Sequence, residues 1–256
     1  MYIKNEGVKL IPYVRRKRIL EEFEKKEIVY VDDLVEALKD FSMSTIRRDL
    51  RTLVNDGEVV LLRGGAAKLK VGSVDISIET KQLLNLEKKD KISKLAASLV
   101  NDGEVIYIDS GSTTLSMMKY LKDKEITVVT SNTQVLNELA DTKITCIILG
   151  GQITRNLASI VGPMTDQMLS NMFFDKAFLG ASGYSLNSGI NTPDAREANK
   201  KKKVKENSKE TYALLDSSKL NKVTFCKAFE ISECTIITDE KNELLEKYGK
   251  FIIAKE

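Results

Sequence analysis

Ser42-Met43-Ser44-Thr45-Ile46-Arg47-Arg48-Asp49-Leu50-Arg51-Thr52-Leu53 is the stretch that decides how the first part of the chain folds. Ile46, Leu50 and Leu53 recur at i, i+4 and i+7, one side of a 3.6-residue period. Ser44, Thr45, Arg47, Arg48 and Arg51 fall on the remaining faces, and Ser42 is placed to cap the helix by accepting from its first amides. A short helix that buries one face and offers arginines and hydroxyls on another fits a DNA major groove.

Working outward, Pro12 suits the first turn of a helix, and Val14, Ile19, Leu20 and Phe23 give it an apolar stripe up to about Lys25. A second short helix follows Val31, with Leu34, Val35 and Leu38 inward, and a turn at Asp40-Phe41-Ser42 leads into the opening helix. Asn55-Asp56-Gly57 ends that helix. Val59 to Leu62 and Ala66 to Leu69 then read as two strands joined by the tight turn Arg63-Gly64-Gly65. Three helices and a hairpin over residues 12–70 predict a winged helix-turn-helix domain.

A lone basic helix is most often a solvated face; the preceding helix, the short turn and the wing shift the balance toward DNA. Ser44, Thr45 and Arg47 are the candidates for base or nearby phosphate contact. Arg48, Arg51 and Arg63 are assigned to phosphates, which position a protein without reading sequence. Ser42 at the cap and Gly64 and Gly65 in the wing complete the candidate DNA-binding set. Asp49 is expected to pair with a neighbouring arginine.

Composition narrows the rest. The chain has 256 residues, 42% hydrophobic and 30% charged, with a formal net charge of +3. That charge is too small for generic polyanion binding, so any nucleic-acid site has to come from local clustering. The absence of histidine excludes Ser-His-Asp and Cys-His catalysis and argues against a zinc site; no catalytic residue, metal site or cofactor is expected. Cys146, Cys226 and Cys234 lack C-x-x-C spacing and read as reduced thiols of a cytoplasmic protein. No apolar run approaches the ~20 residues of a membrane span, and the start lacks the apolar core of a signal peptide, so no membrane association is expected.

Residues 71–90 are polar and charge-mixed and are treated as a connector. From residue 91 to 256, short β-rich runs alternate with helical patterns. Strands are expected at Val105 to Asp109, Thr127 to Thr130, Thr145 to Leu149, Lys176 to Leu179, Thr211 to Leu215, Thr235 to Thr238 and Phe251 to Ile253. Helices are expected between most of them, including Thr133 to Leu139 and Ala195 to Asn207. Such alternation implies a Rossmann-like α/β domain with a mostly parallel sheet covered on both faces, its ligand beyond the carboxyl ends of the strands.

Asp109-Ser110-Gly111-Ser112-Thr113-Thr114 follows one strand and opens a helix, an arrangement of amides, glycine and hydroxyls suited to an anion. It lacks the lysine and spacing of a Walker loop, so nucleotide hydrolysis is not supported. Thr130-Ser131-Asn132, Gly150-Gly151 and Gly180-Ala181-Ser182-Gly183 are further polar or glycine-rich strand ends, and Lys219 follows another. Lys200 to Lys203 are consecutive on a helix, point in different directions, and read as a solvated face. Glu197 and Lys201 lie one turn apart, either as an i,i+4 pair or facing the crevice.

With these residues in view, the chain resembles the DeoR family of bacterial transcriptional regulators from about Arg15 to Asp239. Ser42 to Leu50 carries its Ser-x-x-Thr-Ile-Arg-Arg-Asp-Leu pattern, and Gly64-Gly65-Ala66 its wing. Asp109 to Thr114, Gly150-Gly151, Phe178 to Gly183 and Asp216-Ser217-Ser218-Lys219 follow in family order. The resemblance implies a repressor, or less often an activator, of a catabolic operon, usually for a sugar, polyol or nucleoside, with a sensor domain similar to ribose-5-phosphate isomerase and CoA-transferase folds. It implies operator DNA, a phosphorylated sugar as effector and a homodimer or homotetramer as partners. Carried over by motif, the effector candidates are Asp109, Gly111, Ser112, Thr113, Thr114, Asn132, Gly151, Arg155, Ser182, Glu197, Lys201 and Lys219. The alternative is an isomerase-like enzyme with an appended DNA-binding domain. Leu179 to Gly183, the apparent counterpart of an isomerase carboxylate element, has no carboxylates, which argues against it.

Overall fold

The computed structural model describes residues 12–26, 28–56, 58–69, 77–154 and 156–255. Gly57, expected to end the opening helix, falls outside them. Two compact units divide the chain, one ending at Leu84 and the other starting at Asn85.

The first unit runs α1 (Pro12–Lys25), β1 (Ile28–Tyr30), α2 (Val31–Ala37), α3 (Met43–Asn55), β2 (Val59–Leu62), β3 (Ala66–Leu69) and α4 (Ile78–Leu83). Ile46, Leu50 and Leu53 of α3 are buried with Ile19, Leu20 and Phe23 of α1 and Leu34 of α2, so the apolar periods read from the sequence converge on one core. The β2–β3 hairpin forms the expected wing. The sequence did not signal β1, which pairs antiparallel with β3 to give the sheet order β1-β3-β2. Only three residues long, it is too short for a period-2 pattern to show. Of the span treated as a connector, Ile78–Leu83 is helical, and Leu83 and Leu84 enter the first unit's core. Ser77 caps that helix and donates to Glu58 Oε1 at 2.6 Å.

The second unit continues with α5 (Leu86–Ser98), β4 (Val105–Ile108), α6 (Ser112–Ser116), α7 (Met118–Leu121), β5 (Thr127–Thr130), β6 (Thr145–Ile148), β7 (Gln152–Thr154), β8 (Ser159–Val161) and α8 (Pro163–Leu169). Then come β9 (Phe174–Leu179), β10 (Gly183–Ser185), β11 (Gly189–Thr192), α9 (Ala195–Glu206), β12 (Ser208–Leu214), β13 (Cys226–Phe229), β14 (Thr235–Thr238), α10 (Glu243–Tyr248) and β15 (Lys250–Ile253). The main sheet has seven strands in the order β15-β14-β12-β9-β4-β5-β6, every pair parallel. Period-2 alternation puts Ile106 and Ile108 in one core with Ile92 and Ala96 of α5. Tyr107 joins the opposite core with Ala198 and Val204 of α9, so both faces are covered. The segment expected as a helix from Thr133 to Leu139 is a 3-10 helix, Thr133–Glu138.

The chain moves outward from β4 to β5 and β6, then returns to lay β9 against the other side of β4. This reversal makes β4 and β9 the switch point, where loops leave in opposite directions and open a crevice at the strands' carboxyl ends.

Candidate functional site

On α3, Ser42 accepts from the Thr45 amide at 3.3 Å as the helix cap. Its hydroxyl also lies 2.9 Å from those of Ser44 and Thr45, so the helix start is a closed hydroxyl cluster. Ser44, Arg47, Arg48 and Arg51 are exposed and Thr45 is half-buried. Arg63, Gly64 and Gly65 are exposed on the wing turn, where φ values of 84° and 76° at the two glycines suit a residue without Cβ. The helix is fixed from behind. Arg15 of α1 grips Asp49 with two bonds, Nε to Oδ2 at 2.7 Å and Nη2 to Oδ1 at 3.0 Å, and this pairing raises the arginine's pKa. Asp49 therefore faces the core, and its arginine comes from another helix, which sequence spacing alone does not reveal. What remains on the outer face is an array of three guanidiniums and a hydroxyl suited to phosphates and base edges.

At the switch point, Asp109 at the end of β4 is wholly buried. Its Oδ2 accepts from the Gly180 amide at 3.0 Å and pairs with the ammonium of Lys201. Gly111, the residue before α6, lies against Gly180: a Cβ added to it would be in ordinary contact with the Gly180 Cα at 3.6 Å and crowd Thr114 Oγ1 at 3.2 Å. Burial opposes ionisation of Asp109, but Lys201, Lys200 and the Gly180 amide outweigh it and hold the carboxyl below its ordinary value.

Glu197 in the first turn of α9 is 1% exposed. Its Oε1 accepts from Ser159 Oγ at 2.6 Å and Lys200 Nζ at 3.0 Å, while Oε2 lies 3.7 Å from Lys201 Nζ. Lys200 also donates to Ser131 Oγ at 2.8 Å, Ser159 Oγ at 2.7 Å and the Ile160 carbonyl at 3.2 Å. Ser110 donates to Ser159 at 2.8 Å, and Tyr107 shares a 2.9 Å hydrogen bond with Ser131. Burial, with Asp109 nearby, pushes the Tyr107 phenol well above its ordinary pKa and keeps it protonated. Two carboxylates and two ammoniums thus close one buried network.

The solvated reading of the lysine run fails at Lys200 and Lys201, which are 1% and 5% exposed. The helix carries Glu197 inward, and the positions three and four residues later share its side. That spacing signals Lys200; Ser131 and Ser159, which it meets across 69 and 41 residues of sequence, carry no such local signal, and all three lay outside the set expected from the sequence.

The other candidates divide. Asn132 accepts from the Gln134 amide at 2.9 Å, while its Nδ2, fully buried, has no hydrogen-bond partner among the described residues. Asp109 Oδ1 is likewise unpartnered among them. Thr114 spends its hydroxyl on the Asp109 and Gly111 carbonyls at 2.7 and 2.8 Å. Ser112 and Thr113 are buried in α6, where the first amides have no intrahelical acceptor. Gly151 is exposed at the start of β7, beyond the β6 edge. Ser182 donates its amide to the Asn191 carbonyl at 3.0 Å in the loop after β9. Lys219 closes a short turn at the carboxyl end of β12, an interior strand between β14 and β9, with no hydrogen bond from its ammonium among the described residues. Arg155 lies outside the described residues. Each carboxylate at the switch point is held by an ammonium, so the arrangement suits binding and charge balance rather than proton transfer.

Residues 15–70 match the model of the DeoR-like helix-turn-helix domain. Residues 84–240 match that of the DeoR C terminal sensor domain. FruR of Bacillus subtilis, an HTH-type transcriptional regulator, is 37% identical over 94% of this chain and 96% of its own length. YgbI of Escherichia coli, also an HTH-type transcriptional regulator, is 36% identical over 90% of this chain and 91% of its own. Among solved structures, ribose 5-phosphate isomerase a of Methanocaldococcus jannaschii covers 54% of this chain and 56% of its own at 22% identity, with a TM-score of 0.40. A likeness of that size carries no argument about mechanism.

Proposed function

The chain belongs to the DeoR family of transcriptional regulators, and from that premise we propose that it is a cytoplasmic repressor of a carbohydrate-catabolic operon, released by a phosphorylated sugar. The observation that carries the proposal is the buried Asp109–Lys201–Glu197–Lys200 network at the switch point, beside the unpartnered Nδ2 of Asn132. A buried donor without a partner costs roughly 1–3 kcal/mol, so a ligand oxygen that accepts from it gains on binding. Hydroxyls of a sugar supply such oxygens. The first amides of α6 and the ammonium of Lys219 are the groups assigned to its phosphate.

The protein acts as a homodimer or homotetramer, so that two copies of α3 engage paired operator half-sites through Ser44, Thr45 and Arg47, while Arg48, Arg51 and Arg63 meet phosphates. Sugar phosphate releases the operator only as far as it binds the weakly DNA-binding arrangement more tightly. A coupling of about 1–3 kcal/mol, or roughly 5- to 150-fold in operator affinity, is the usual scale.

A thermal-shift screen of phosphorylated sugars, with each hit tested for its effect on binding to DNA flanking the gene, tests the proposal. A hit that raises the melting temperature and weakens DNA binding is the expected result. Binding to DNA that no phosphorylated sugar alters would refute effector control.

A further inference from the structure

Asn85, the residue before α5, adopts a left-handed backbone with φ 52° and ψ 39°, strained for a residue with a Cβ. At this helix-cap position its side chain makes no capping bond to its own helix. It reaches instead across the fold, where Nδ2 lies 3.5 Å from Asp216 Oδ1 and 3.4 Å from Ser218 Oγ. One turn along the helix, Lys88 Nζ donates to Ser217 Oγ at 2.7 Å and pairs with Asp239 Oδ2 at 3.0 Å. Asp239 in turn accepts from the Ser217 amide at 2.6 Å and its hydroxyl at 2.9 Å. Burial works against the charge on Asp239, but Lys88 and Ser217 outweigh it and lower its pKa.

The start of α5 therefore holds all three residues that precede Lys219. The amide of Lys219 itself donates to the Asp216 carbonyl at 2.9 Å, so the loop is one short hydrogen-bonded turn. On the other side of Asn85 the first unit begins at the next residue. Leu84, the next residue back, is 8% exposed and belongs to the core of the first unit. A shift of the Asp216–Lys219 turn either breaks the contacts of Asn85 and Lys88 or drags the junction residue with it.

We propose that Asn85 and Lys88 are positioning residues that transmit the state of the Asp216–Lys219 turn to the DNA-binding unit through the junction at Leu84. The inference rests on the effector-controlled reading above and names the element that does the coupling. Neither side chain is assigned to effector or DNA. The left-handed backbone of Asn85 is a strained state that persists only while the surrounding contacts hold it, so loss of those contacts favours its relaxation.

The test uses the full chain and two variants, Lys88→Met and Asn85→Gly. The first removes a charge while keeping the stem; the second keeps the backbone conformation and removes the side-chain contacts. Glucose 6-phosphate, fructose 1-phosphate, ribose 5-phosphate and glycerol 3-phosphate serve as probes, and each protein is measured for probe binding, for DNA binding alone and for DNA binding with probe. If a probe weakens wild-type DNA binding about tenfold, both variants should bind probe and free DNA within about twofold of wild type, yet lose most of that tenfold response. Variants that respond as fully as wild type, or that no longer bind the probe, would overturn the assignment while leaving effector control standing. If no probe alters wild-type DNA binding, effector control itself fails and the coupling role fails with it.

Discussion

Replacing Lys200 with methionine removes one ammonium from a network that has almost no access to water. Lys200 and Glu197 are each 1% exposed, and the lysine donates to Ser131, Ser159, Ile160 and Glu197. Methionine fits the same volume, so the loss is electrostatic rather than a cavity. Breaking a buried ion pair by deleting one partner costs about 3–5 kcal/mol. Glu197 keeps Ser159 at 2.6 Å and the more distant Lys201 at 3.7 Å, which places the expected loss at the lower end, about 3 kcal/mol. For a protein of this size that corresponds to a fall of roughly 6–12 °C in melting temperature. Adding Glu197→Gln to the same chain removes the stranded carboxylate and should return a good part of the loss. Urea unfolding and calorimetry of the single and double variants measure both quantities. A single variant within about 1 kcal/mol of wild type, or a double variant no more stable than the single, would show that Lys200 does not balance Glu197.

Arg47→Ala should weaken operator binding by about 1–3 kcal/mol, roughly 5- to 150-fold, with no change in melting temperature because the side chain is exposed; gel-shift titration measures it. Gly151→Ala should destabilise by about 1–3 kcal/mol in urea unfolding, since an added Cβ would sit 2.2 Å from Thr165 Oγ1 at a φ of +149°. The depressed pKa of Asp109 contributes to the acid limb of stability, with those of Glu104, Asp175 and Asp239 acting in the same direction. A carboxyl held below its unfolded value of about 3.9 contributes stability above that pH and loses it as pH falls through the folded value. Melting temperature should therefore hold from pH 7 to about 4 and fall below it; a fall that begins near pH 6 would contradict the assignment.

The DNA-binding half was legible because each helix carries its own period. Ile46, Leu50 and Leu53 identify the buried side of α3 without reference to any other residue, and glycines at 64 and 65 mark the wing. The strands of the main sheet were legible for the same local reason, as short β-rich runs. Their order was not, since nothing within Val105–Ile108 says that β9 rather than another strand will lie beside it. Asp109 and Lys201 meet only once that order is set, across 92 residues of sequence. Lys200 was misread because consecutive lysines describe a composition, whereas burial depends on which side of α9 meets the sheet. Asp49 shows the intermediate case: its role as an ion-pair partner followed from its type, but Arg15 on another helix did not.

The reversal of strand order at β4 and β9 also fixes the timing of synthesis. The backbone amide of Val105 bonds Asp175, a partner 70 residues further along the chain. At a ribosomal rate of about 5–20 residues per second, β4 waits roughly 4–14 seconds for the strand that completes its second edge. During that interval β4, β5 and β6 are available to pair while one side of β4, among the most apolar strands in the protein, has open hydrogen-bonding groups. The residues of the winged-helix core are all synthesised before this interval begins. Newly made chains therefore pass through a stage in which the first unit is complete while one edge of β4 is still open, the kind of unpaired edge that makes a nascent chain prone to aggregation.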